Sequence, residues 1–133
     1  MSLVCIDPGE AHKTWPHIET LLERATKRSG EVTLRELYEQ ILSGSALVWL
    51  AVSGGEIYGV AVTRLVIGPN GKYCELIACA GRRMSLWLPL LAKIEEFARA
   101  EGCESVRLSG RRGWARVLKE YREPWTTLEK RLA

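Results

Sequence analysis

The stretch CAGRRMSLW at 79–87 places Arg82, Arg83 and Ser85 where an apolar, strand-like run gives way to an amphipathic helix. Arginines at such a junction can grip a phosphate through charge-assisted bonds. A serine can cap the helix and donate its hydroxyl to an oxyanion, and the unpaired amides of a helix start carry partial positive charge. A backbone cradle also asks for glycines, but here Gly81 is followed by Trp87 and Pro89 in the first helical turns. Upstream, Glu75 interrupts the apolar run YCELIACA, a setting that suits a general base. Ordinary alternation equally allows it a solvent-facing or strand-edge position.

A second concentration of chemistry lies between Arg107 and Arg122, where six basic residues stand against a single acid, Glu120. Trp114, Leu118 and Tyr121 recur there at helical spacing on one side, with Arg112, Arg116 and Lys119 on the other. The basic side suits a phosphate or simple solvation. Nucleic acid is a minor reading, because Trp114 shares the apolar side with Leu118 and Tyr121. His12 and His17 are five apart, off the spacing that presents two imidazoles on one helix face, and no acid or cysteine cluster joins them, so no metal site is expected.

The elements that must position these residues follow from periodicity. LVCI opens as a short strand. Trp15, Ile18, Leu21, Leu22 and Ala25 mark a helix with Thr14 as N-cap and Pro16 in its first turn, ended by Gly30. Thr33 and Glu36 form a capping box before a second helix that stops near Gly44. ALVWLAV, IYGVAVTRLVI and YCELIACA, joined by SGGE and GPNGK, predict three consecutive antiparallel strands. Leu88, Leu91, Ile94, Phe97 and Ala98 mark a third helix with Gly102 as its cap. SVRLSG predicts a short strand, residues around Trp114 a short helix, and WTTLEKRL a closing strand. The order β-α-α-β-β-β-α-β-α-β gives an α/β (α+β) fold, a mixed and mostly antiparallel sheet flanked by helices.

The chain has 133 residues, 47% of them apolar and 26% charged, with a net charge of +3. That suits one domain over 1–133, in which about two-thirds of the unfolded surface could be buried. Neither a secretory leader nor a membrane span is evident, so the reading is a soluble, cytoplasmic protein with no membrane partner. The four cysteines form no C-x-x-C pair and read as buried free thiols.

This order, with LLAKIEEFARAEGCESVRL (90–108) and GRRGWARVLKEY (110–121), resembles the GNAT superfamily of N-acetyltransferases over nearly the whole chain. GRRGWARVL and RRMSLWLPLL are also similar to small phage-encoded proteins of that superfamily, which would place the chain in a host cytoplasm or a virion. The resemblance implies acetyl-CoA or CoA as ligand, with an amine acceptor it does not identify. The superfamily's pyrophosphate loop reads Arg/Gln-x-x-Gly-x-Gly/Ala. Arg82 matches its first position, while Ser85 and Trp87 replace its two glycines, so the loop is degenerate. Arg83 beside it could add a side-chain phosphate contact, and Arg112 could hold the 3'-phosphate of CoA. Glu75 takes the position implied for the base. The tyrosine implied as acid for the leaving thiolate, four residues after Ala115, is replaced by Lys119, and the nearest tyrosine, Tyr121, is two residues late. The competing expectation is a non-catalytic phage accessory or virion-associated protein of the same fold that binds a protein partner or its own copy.

Overall fold

A computed structural model describes residues 1–110 and 113–132. Five strands form one sheet in sequence order: β1 (Ser2–Ile6), β2 (Leu47–Ser53), β3 (Glu56–Gly68), β4 (Gly71–Gly81) and β5 (Ser105–Leu108). All neighbours are antiparallel except β4 and β5, which run parallel and need the helical crossover between them. The mixed, mostly antiparallel sheet expected from the sequence is therefore present.

Helices α1 (Ala11–Ser29) and α2 (Leu34–Ser43) cover one face, where Ile18, Leu22, Leu37 and Ile41 pack on Val48, Leu50, Val60 and Val62. The capping box is formed: the Thr33 hydroxyl accepts the Glu36 N–H at 3.0 Å and contacts the Glu36 carboxylate at 3.1 Å. Helix α1 begins before the expected Thr14. The Asp7 carboxylate accepts the Gly9 N–H at 2.9 Å, capping a 3-10 turn over Pro8–Glu10 that runs straight into the helix. Pro16 is thus interior, and Thr14 turns its hydroxyl back to the Glu10 carbonyl.

The other face carries α4 (Leu91–Ala100), which lays Ile94 and Ala98 on Trp49, Ala61, Cys74 and Leu76. The expected single helix from Leu88 is broken. A four-residue α3 (Met84–Trp87) and a 3-10 turn over Leu88–Leu90, set by Pro89, precede α4. A short α5 (Gly113–Val117) follows β5. Tyr121 thus lies beyond the helix that was expected to carry it.

The expected closing strand is absent among the described residues. Trp125, Leu128 and Leu132 are three and four residues apart, so no single sheet face can collect them, and they stay 66%, 92% and 87% exposed. The cysteines also depart from expectation, since only Cys74 is fully buried and Cys5 is exposed.

Two bulges interrupt the ladders. Ala51 pairs with Gly59 and Val52 with Ile57, leaving Tyr58 as the extra residue of β3. Thr63 pairs with Leu76 and Val62 with Ala78, leaving Ile77 as the extra residue of β4. Without the second bulge, Leu76 and Ala78 would share a face. With it, Leu76 packs under α4 and Ala78 under α1.

Candidate active site

The Ile77 bulge sits where the parallel pairing ends. Strands β4 and β5 are in register from Tyr73 with Ser105 to Leu76 with Leu108, after which β4 continues to Gly81 without its neighbour. A bulged strand bends and twists more strongly, and here the bend opens the sheet. The resulting cavity measures about 380 Å³ and is reached from both faces, with Arg28 and Glu31 on the α1 side and Leu91 and Ile94 on the α4 side. Beyond Leu76, the β4 edge facing the cavity pairs with no strand among the described residues.

A second depression, about 230 Å³, adjoins the first through Glu31, Leu76, Ile77 and Ser109. It holds the half-buried Glu75, whose carboxylate accepts from Arg64 at 2.8 and 2.9 Å, together with Glu36 and Gln40. Glu75 therefore faces a polar vestibule on the α2 side instead of open solvent. Among the described residues, its charged lining is Glu31, Glu36, Glu75 and Arg64, the last paired with Glu75.

At the junction of β4 and α3, Arg82 is engaged. Its guanidinium pairs with Glu56 at 2.9 Å and lies 4.5 Å from the centre of the Tyr58 ring, and its N–H donates to the Tyr58 carbonyl. The bulge at Tyr58 thereby ties the loop to β3. Arg83 takes a left-handed conformation (φ 52°) and, like Ser85, is exposed. Trp87 points inward: it is 6% exposed, donates its indole N–H to the Arg82 carbonyl at 3.0 Å and lines the cavity. The indole therefore braces the loop from below and leaves its outer side clear.

Tyr121 is separated from these residues. Its hydroxyl donates to Glu95 on α4 at 2.6 Å, and burial, reinforced by that carboxylate, pushes its pKa up. Glu95 is thus a structural acceptor. Arg112 lies outside the described residues. No group of three His, Cys, Asp or Glu is arranged for a metal among the described residues, and no helix there is long and apolar enough to cross a membrane.

Sequence reasoning missed Glu31, Glu36 and Arg64, whose meeting depends on tertiary placement. It also read Trp114 as plain core, whereas Trp114 lines the cavity from α5 and packs where a Cβ on Gly110 would come within 2.7 Å. One overlooked local signal was the pair Gly59 and Gly81, directly opposed on β3 and β4. A Cβ on Gly81 would collide with the Tyr58 carbonyl and the Gly59 Cα.

A crossover between splayed parallel strands, with a cavity opening beside a second, more polar depression, is the geometry this α/β fold presents. No protein-family model matches the sequence, and no curated protein matches it. Solved structures match over the full chain. A "probable acetyltransferase" superposes with a TM-score of 0.73 at 14% identity, covering 100% of this chain and 99% of its own. A GNAT family acetyltransferase from Staphylococcus aureus gives 0.65 at 17%, covering 99% and 100%. A "predicted acetyltransferase with acetyl-CoA" from Clostridium acetobutylicum gives 0.65 at 13%, covering 96% and 95%. The chain has the fold of GNAT acetyltransferases.

Proposed function

We propose that the protein is an acyl-CoA-dependent N-acyltransferase. The observation that carries this reading is the bulge at Ile77, which ends the pairing of β4 with β5 and opens the cavity between them beside the Glu75 vestibule. The acyl-CoA supplies an activated thioester. The β4 peptide groups beyond Leu76 would hold the amides of its pantetheine arm as an added strand does, and an N–H there would stabilise charge developing on the carbonyl oxygen. Arg83 and Ser85 stand exposed at the loop for the phosphates, and Arg82 would join them by exchanging Glu56 for phosphate.

The acceptor amine would enter through the vestibule, drawn by Glu31, Glu36 and Glu75. Glu75, fixed in place by Arg64, would take the ammonium proton directly or through water. The amine nitrogen then bonds to the acyl carbon, the carbon–sulfur bond breaks, and the proton that the nitrogen sheds on becoming an amide passes through water to the sulfur, so that CoA leaves as the thiol.

Calorimetric titration with CoA and acetyl-CoA tests the reading. Saturable binding with a rise in Tm is expected, both weakened in an Arg82→Ala, Arg83→Ala double variant. Absence of binding to either at millimolar ligand would overturn it.

A further inference from the structure

The cavity extends further than a two-carbon acyl group requires. From the β4 edge it continues under β3 and β2 to Leu3 on β1, three strand spacings away or about 14 Å. The registers explain its course. Leu3, Ala51 and Gly59 form one cross-strand row, and Trp49, Ala61 and Cys79 form the next. Both rows lie on the face carrying α4. In mid-sheet its floor is formed by the small side chains of Ala51 and Ala61, while Trp49 and Trp87, the latter seated on Gly59, wall it. The only charged residues among the described lining, Arg28 and Glu31, belong to the opposite end, at α1 and the segment after it.

A largely apolar passage of this kind gains when an apolar ligand fills it, because water finds few polar partners along its mid-sheet stretch. Resting on the acyltransferase reading, we infer that the acyl donor carries a medium-length aliphatic chain, and that this chain lies across β3 and β2 towards Leu3. The thioester end remains between β4 and β5, and the terminal methyl approaches β1.

A chain-length series tests this on the unmodified protein, with CoA, acetyl-CoA, butyryl-CoA and octanoyl-CoA titrated by calorimetry, and octanoate alone followed by tryptophan fluorescence. Octanoyl-CoA is expected to bind about 10-fold or more tighter than acetyl-CoA, and octanoate is expected to perturb the emission of Trp49 and Trp87. Ala61→Leu, which fills the passage, is expected to erase the preference while leaving acetyl-CoA binding in place. Equal affinity for acetyl-CoA and octanoyl-CoA would overturn the inference and leave the acyltransferase reading standing. If no CoA ester binds but octanoate does, and Ala61→Leu abolishes that response, the apolar site stands and the acyltransferase reading falls. Silence from both ligand types overturns both.

Discussion

The indole of Trp87 covers the Cα of Gly59: a Cβ built there would meet three indole carbons at 2.8 to 3.1 Å. The same indole donates to the Arg82 carbonyl, so one side chain joins the mid-sheet floor of the cavity to the loop at its rim. Gly59→Ala should force the indole from its place and cost about 1–3 kcal/mol, the usual range for overpacking a filled site. Urea denaturation measures it. In a Trp87→Ala background the same substitution should cost far less, because the clash partner is gone. An equal cost in both backgrounds would show that the close approach is not what fixes this glycine.

Trp49 provides a second buried link. Its indole N–H donates to the Thr63 hydroxyl at 2.9 Å. Thr63 is 1% exposed, so Thr63→Val leaves the buried Trp49 N–H without its acceptor. A loss of about 1–3 kcal/mol is expected, with Thr63→Ser retaining most of the stability. A neutral Thr63→Val in thermal unfolding would contradict this account.

The helices and antiparallel strands were legible because their apolar spacing and caps are local: Thr33 with Glu36 and Gly44 marked both ends of α2. The candidate site was legible only in part. Glu75 and the Arg82 to Ser85 junction stood out by residue type, but the bulge at Ile77 leaves no trace in the run YCELIACA, since an extra apolar residue resembles its neighbours. Trp87 stands out where a glycine is expected, yet whether it blocks a phosphate or braces a loop depends on Gly59, a residue 28 positions earlier. The closing strand failed because apolar residues without a common face gain nothing from pairing.

Alkaline pH should weaken the fold. Burial pushes the Cys79 thiol up to about 12 and the Cys74 thiol up to about 11, and it raises Tyr121 as well, with Glu95 adding to that shift. A raised pKa favours the folded protein while the group stays protonated. The contribution is therefore complete below the unfolded thiol value of 9.0 and is lost as pH climbs through the folded values. Stability measured by urea should hold up to about pH 9 and fall from there towards about pH 12, the window these shifts define. Cys79→Ala should flatten part of that slope, and an unchanged slope would remove Cys79 as a contributor.

Glu75 and Arg64 give the sharpest test of the chemistry. Their side chains are 29% and 42% exposed, so the pair itself should stabilise the fold by no more than about 1 kcal/mol. Glu75→Gln keeps the shape and a hydrogen-bonding oxygen but cannot accept the amine proton. Turnover with a primary amine and an acyl-CoA should fall by about 10²-fold or more, with donor binding and Tm nearly unchanged. Because the base is replaced by solvent, the residual rate should rise with pH as free amine accumulates, recovering a larger share of wild-type activity in alkaline buffer. Arg64→Ala separates positioning from proton transfer: it frees the Glu75 carboxylate without removing it, so kcat should decline less than in Glu75→Gln and keep the wild-type form of its pH profile. If Glu75→Gln leaves turnover intact, the proton leaves by another route and the vestibule only gathers the amine.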